Sequence, residues 1–282
     1  MYPSRGAAEL RCAGGILIGM RIIDVHTHIW TDRLAPAAVS AVGAQGHIGA
    51  RYDGTVSGLL VAMDRAGIDT SVTLPVATKP SQVRTINDWA ATLVGHPRIV
   101  PFGAMHPDFA DPAKEIARMR KHGLTGFKMH PEYQQFEPQE PRMEAIYEAA
   151  IRNDMTVYFH SGGDVAFTSV RGTPKAFAEV LDVWPELKTV LAHMGGFRQW
   201  NAVTGRLVDR DVWFDTAYTL GHLPDEEFVS LVRAHGVDRV MFGSDGPWTD
   251  AAVEIAHLKS LPFKPAELRA ILSGNAERFL AR

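Results

Sequence analysis

One cysteine, Cys12, is all the thiol chemistry this 282-residue chain carries. A lone thiol cannot build an internal disulfide framework, and that scarcity suits a reducing compartment. Charge of one sign is equally scarce: 29 Lys and Arg against 32 Asp and Glu leave a formal net charge of −3. Nothing in that balance attracts a nucleic acid or an anionic membrane surface. No run approaches the ~20 apolar residues that a membrane-spanning helix needs. The nearest candidate, Gly14-Gly15-Ile16-Leu17-Ile18-Gly19-Met20, is short, diluted by glycine, and runs straight into a strand-like segment. Cleavage of a secretory leader there would leave no linker. We therefore expect a cytoplasmic protein, with residues 1–19 a poorly ordered extension and Met20 an alternative start.

What is present is ordinary globular material, 46% hydrophobic and 22% charged, arranged as a regular alternation. Eight short apolar runs of strand type begin at Arg21, Asp69, Ile99, Leu124, Met155, Leu187, Val212 and Arg239. Helical patterns separate most of them, at about 56–66, 81–95, 112–122, 140–153, 173–184, 225–235 and 250–260. A last helix, Pro265 to Leu280, closes the chain. Strict alternation of this kind implies a parallel sheet with crossover helices. Eight units in this length favour a closed barrel, which takes about 250 residues, over an open sheet. An open sheet should also carry a glycine-rich turn after its first strand, where this chain has Val25-His26-Thr27-His28. The expected fold is a single-domain (β/α)8 TIM barrel over residues 20–282 with an extra C-terminal helix.

In such a barrel, chemistry gathers at the C-terminal ends of the strands. The first expected strand ends in His26 and His28, the third in His106, the fourth in Lys128 and His130. The fifth ends in His160, the sixth in His193 and the eighth in Asp245. His26 and His28 share parity along a strand, so both imidazoles face one side, as do Lys128 and His130. Two convergent imidazoles are a usual start for a zinc-like site. The remaining histidines have plainer readings. His96, His122 and His235 fall at helix C-termini, where the helix dipole favours a cation. His47 lies in a loop and His257 inside a helix, and His222 is near enough to the seventh strand to reach the barrel mouth.

The motifs Asp24-Val25-His26-Thr27-His28, Gly126-Phe127-Lys128-Met129-His130-Pro131, Phe159-His160-Ser161-Gly162-Gly163, Ala192-His193-Met194-Gly195-Gly196 and Phe242-Gly243-Ser244-Asp245-Gly246-Pro247 resemble those of the amidohydrolase superfamily. The branch containing aminocarboxymuconate-semialdehyde decarboxylase and many metal-dependent hydrolases is the nearest in pattern. The resemblance runs from about residue 20 to the end, including the closing Gly274-Asn275-Ala276. It implies one divalent metal ion held by His26, His28, His160 and Asp245. Zinc is the first expectation, although manganese, iron and cobalt accept the same ligands. It also implies that His193 stands beside the reacting groups as acid, base or orienting group, with Asp245 accepting a proton. Many members are oligomers, so a homo-oligomer is open.

The function expected first is metal-dependent hydrolysis of an ester, lactone or amide carbonyl in a small molecule, by a metal-activated water. The alternative on the same scaffold is non-oxidative decarboxylation of an acidic or aromatic substrate. Ligands and fold do not separate the two, since function lives in the pocket. A cation and an aromatic wall would mark the decarboxylase, and Lys128 and Arg171 are the available cations. A barrel that binds metal without turnover is a third reading, and the presence of His193 beside a full ligand set argues against it. Lys128 is read as a substrate or structural contact, ahead of a carboxylated bridge between two metals. His130, Trp30 and Trp248 are expected to line the substrate pocket.

Overall fold

The computed structural model describes residues 20–281; Cys12 and the rest of the expected extension, residues 1–19, lie outside them. Nine short parallel strands are present: β1 (Ile23–Thr27), β2 (Thr70–Thr73), β3 (Ile99–Pro101), β4 (Gly103–Ala104), β5 (Gly126–Met129), β6 (Thr156–Phe159), β7 (Thr189–Leu191), β8 (Trp213–Asp215) and β9 (Val240–Met241). They run in the order β1-β2-β3 and β4 through β9. β3 and β4 are two halves of one barrel strand, broken at Phe102, whose N–H bonds the Thr73 carbonyl at 3.0 Å. The barrel closes between β9 and β1, where Val25 N–H donates to Phe242 O and Asp245 N–H to His26 O, both at 2.9 Å. Eight barrel strands alternate with helices, as the apolar runs predict.

Strand alternation sorts the side chains into two cores. Phe127, Met129, Val157, Phe159 and Phe214 face the helices. Val72, Phe102, Tyr158, Val190, Trp213 and Met241 fill the barrel interior. Phe279, from the C-terminal helix Asn275–Leu280, packs its ring 6.4 Å from Phe102 and 5.8 Å from Trp213. Both rings share a cavity with Phe279 and with Thr125, Thr156 and Thr189 at the starts of neighbouring strands, so the last helix stoppers that end and leaves the other for chemistry.

Helix starts follow local capping chemistry. Thr55, Asp111, Thr173 and Asp250 each accept a hydrogen bond from a first-turn N–H, and proline stands at the first position of 112–121 and 174–183. The segment 31–54, which lies outside every expected helix, holds a helix at Ala35–Gly46, which lacks a side-chain cap and acidic first-turn residues. A second unexpected helix, Trp200–Arg206, follows β7. His235 is a correction of a different kind. It is fully buried, stacked on Phe214 at 3.8 Å, and burial lowers its pKa, so it is not a solvent-facing dipole cation.

Candidate active site

β1 carries an extra residue relative to β2: Asp24 pairs with Ser71 but Thr27 with Thr73. Such a bulge re-aims side chains. Asp24 lies behind the strand, in a small cavity with Tyr52, Leu59 and Met63, where it accepts from Ser244 N and Oγ. Val25 packs into the barrel interior, and His26 is turned inward beside it. Alternation then brings His28 to the same mouth.

Four imidazoles at this mouth have one nitrogen tied down. His26 Nδ1 lies 2.7 Å from Asp215 Oδ2, and His28 Nδ1 2.7 Å from Leu74 O. His193 Nδ1 is 2.8 Å from Ala217 O, and His160 Nε2 2.8 Å from Gly163 O. Carboxylate and carbonyl oxygens only accept, so each tied nitrogen carries the hydrogen, and the opposite nitrogen presents a lone pair. Those lone pairs face other acceptors. His26 Nε2 and His28 Nε2 stand 3.4 and 3.1 Å from Asp245 Oδ1, and His160 Nδ1 stands 3.0 Å from His193 Nε2. Electron-rich atoms this close need a cation between them, either protons or a metal ion. The donor set therefore fits a divalent cation, and the outer hydrogen bonds fix each ring as such a site requires.

His26, His28 and Asp245 form one tight group; His130, His160 and Asp164 form a neighbouring one. His160 is linked to the first group through His193, whose ring centroid lies 5.2 Å from that of His26. Lys128 is buried with its Nζ 3.3 Å from His26 Nε2 and over the Tyr158 ring at 4.8 Å. Burial pushes its ammonium down to about 8, with Asp215 and Asp245 opposing that fall. Burial alone would raise the Asp245 carboxyl, but the imidazoles of His26, His28 and His193 more than offset it and hold it well below the usual carboxylate range. Burial lowers His193 to about 4, so its resting form is neutral. His193 and Asp245 both occupy left-handed backbone, at φ 58° and 69°, a conformation uncommon outside glycine and costly enough to mark a functional position.

These groups open into a cavity of about 150 Å³. Trp30 and Trp248 wall one side with rings 6.3 Å apart, and Tyr133, Phe197 and Tyr218 contribute further aromatic surface. Every residue predicted for the site from the sequence (His26, His28, Trp30, Lys128, His130, His160, His193, Asp245 and Trp248) borders this one cavity. His106 does not; its Nδ1 accepts from Asp108 N at 3.1 Å. His222 stacks on Tyr218 at 4.7 Å, outside the lining. Arg171 pairs with buried Glu132 and leaves Lys128 as the only Lys or Arg among the described lining residues.

Two residues escaped the sequence reading. Asp215 accepts from His26 and Tyr158 on one oxygen and from the His193 and Ala217 N–H groups on the other. It ends β8, so the strand-end rule reaches it. Asp164 lines the cavity from a loop, with its Oδ2 3.3 Å from His130 Nε2.

A family model described as Amidohydrolase matches residues 23–282. A search of curated proteins finds no match. Among solved structures, an uncharacterised TIM-barrel protein of Bordetella bronchiseptica aligns over 93% of this chain and 99% of its own at 19% identity, with a TM-score of 0.75. The 5-carboxyvanillate decarboxylase of Novosphingobium aromaticivorans, solved with bound manganese and 3-methoxy-4-hydroxy-5-nitrobenzoic acid, aligns over 94% and 98% at 15% identity, TM-score 0.72. The 2,6-dihydroxybenzoate decarboxylase of Rhizobium aligns over 93% and 99% at 15% identity, TM-score 0.69. At such identities these likenesses carry the fold, a (β/α)8 barrel. With the family match spanning almost the whole described chain, the protein belongs to the amidohydrolase family and is an enzyme of the amidohydrolase superfamily.

Proposed function

We propose that the chain catalyses the non-oxidative decarboxylation of a small, ring-bearing acid with the help of one divalent metal ion. The carrying observation is the cavity: about 150 Å³, aromatic-walled, with Lys128 as its single Lys or Arg beside the convergent imidazoles. A cavity near that volume accepts a benzene-sized ring. Decarboxylases among the structures of like fold support this choice over hydrolysis.

His26, His28, His160 and Asp245 would hold the ion, zinc or manganese, and when bound it supplies a positive centre for the substrate's oxygens. Lys128 binds the substrate carboxylate, and Trp30, Trp248 and His130 fix the ring. His193, neutral at rest with its hydrogen on Nδ1, takes up a proton from solvent on Nε2, and the resulting imidazolium passes it to the carbon that bears the carboxylate. The bond to that carboxylate then breaks, its electron pair returns to the ring, and carbon dioxide leaves. An imidazolium with a pKa near 4 is a ready donor for such a transfer. Hydrolysis is the second reading, favoured by one observation: Asp245 is a persistently ionised carboxylate beside His26 and His28, suited to taking a proton from water.

The test is carbon dioxide release from a panel of benzoic and hydroxybenzoic acids, run beside lactone and ester hydrolysis with manganese- and zinc-loaded protein. Carbon dioxide from the acids supports decarboxylation, whereas turnover of lactones or esters alone reverses the order. Replacing Lys128 by Met should raise KM for a carboxylate substrate about 10- to 100-fold, since a hydrogen bond to a charged group is worth roughly 1.5–3 kcal/mol. Steady-state kinetics at fixed metal concentration would read it, and an unchanged KM would remove Lys128 from the substrate site.

A further inference from the structure

The cavity has a second charged end that the proposed reaction does not use. Asp164 sits in the loop after β6 with its side chain 13% exposed. Its Oδ1 accepts from Ala166 N at 2.7 Å, and its Oδ2 lies 3.3 Å from His130 Nε2 and 3.9 Å from His160 Nε2. Tyr133 N–H is directed at His130 Nδ1, so His130 Nε2 carries the hydrogen and donates to Asp164. Among the described residues its ion-pair partners are these two histidines, with no Lys or Arg. Each ring keeps one nitrogen as an acceptor, His130 Nδ1 toward Tyr133 N–H and His160 Nδ1 toward His193 Nε2, so neither brings a fixed positive charge. The carboxylate is an anion in a ligand cavity without a fixed counter-cation.

Its surroundings are aromatic. The Tyr133 ring packs 4.7 Å from His130 and 4.9 Å from Phe167, and Tyr133 and Tyr218 both line the cavity. Burial first, and the Asp164 charge second, push the Tyr133 phenol up to about 12, which places that phenol within the field of the carboxylate. A carboxylate set among electron-rich ring faces is the chemistry that recognises an ammonium group, through charge and through cation–π attraction. Lys128 and Asp164 both line this one cavity, so a single ligand in it can meet both charges.

We infer that Asp164, with Tyr133 and Tyr218, forms an ammonium subsite that selects an acid bearing a protonated amino group in addition to its carboxylate. The inference rests on the proposed function for the placement of that carboxylate beside Lys128. A second carboxylate at the far end is rejected by Asp164, and a neutral hydroxyl gains less than a cation does.

Calorimetric titration of manganese-loaded protein with benzoate, 3-hydroxybenzoate, isophthalate and 3-(aminomethyl)benzoate tests this without requiring turnover. Each affinity is read relative to benzoate. The aminomethyl acid should bind about tenfold more tightly than benzoate, and isophthalate more weakly. In Asp164→Asn, and in the shorter Asp164→Ser, the aminomethyl advantage should fall about tenfold and the isophthalate penalty should shrink. Equal binding of all four acids, no binding of any, a preference for the hydroxy acid, or variants that keep the wild-type order would each overturn the subsite. Carbon dioxide assays on the same preparations keep the two readings apart. An intact ranking without carbon dioxide release fails the reaction and keeps the subsite, while release with an Asp164-independent ranking does the reverse.

Discussion

Replacing His193 by Asn should lower kcat by about 10² to 10⁴, the usual worth of a positioned proton-transfer group, while metal content per chain stays as in wild type. Asparagine is the informative substitution because His193 sits at φ 58°, and Asn tolerates left-handed backbone better than most residues. The backbone N–H that donates to Asp215 Oδ1 at 2.7 Å is untouched by the change. What goes is the ring nitrogen that faces His160 Nδ1 at 3.0 Å and borders the cavity. Elemental analysis and single-turnover kinetics on one preparation would read both parts. Full activity would remove His193 from the chemistry. Loss of one metal ion per chain together with activity would instead make His193 a ligand. His193 and His160, whose facing nitrogens lie 3.0 Å apart, would then be the residues to hold a second ion, the two-metal arrangement for which Lys128 is the candidate carboxylated bridge.

The site was largely legible because barrel geometry converts one-dimensional position into three-dimensional convergence. A polar residue at the C-terminal end of a strand lies beside the mouth, and its direction there decides whether it joins the site, as His106, which does not border the cavity, shows. His26, Lys128, His160, His193 and Asp245 all lie at such ends and meet at one cavity. Asp215 lies at one as well. It ends the Trp213-Phe214-Asp215 strand, where a lone carboxylate with no motif around it is a weaker signal than an imidazole. Asp164 had no such signal. Its place depends on Gly162, at φ 84°, where an added Cβ would meet Phe197 N at 2.1 Å, and on the bridge from Gly162 to Gly172. Those are tertiary contacts that no local pattern encodes. The β1 bulge is equally silent in sequence: alternation places Asp24, His26 and His28 on one face, yet Asp24 ends up behind the strand. The Ala35–Gly46 helix is faint in the sequence because Pro36 in its first turn is its one start signal, without a side-chain cap or an acidic residue beside it. It contributes Val42 and Gly46 to the cavity rim, and tertiary packing rather than capping holds it there.

Asp215→Asn should be the most damaging single-atom exchange in the protein, although Asp215 does not border the cavity. The carboxylate is fully buried and accepts four hydrogen bonds, from His26 Nδ1 at 2.7 Å, Tyr158 OH at 2.5 Å, His193 N at 2.7 Å and Ala217 N at 3.0 Å. An amide offers one oxygen in place of two, and its NH2 would face donors. If the amide oxygen keeps the two backbone N–H groups, the NH2 meets His26 and Tyr158. His26 must then move its hydrogen to Nε2, which removes the lone pair now facing Asp245. If the amide flips, the His193 and Ala217 N–H groups lose their acceptor inside the barrel. Each buried donor left unpaired costs about 1–3 kcal/mol, so either arrangement costs roughly 2–6 kcal/mol of stability. Loss of an outer hydrogen bond that orients a ligating histidine typically weakens metal binding about 10- to 100-fold. Thermal unfolding of the apo and metal-loaded variant separates the two effects. The apo form should melt lower than apo wild type, and the stabilisation gained at a given metal concentration should shrink, because that gain grows with the logarithm of free metal concentration over Kd. A variant that melts lower but gains as much from metal as wild type would confine Asp215 to holding the barrel mouth together. It would also mean that His26 keeps its tautomer by some other contact.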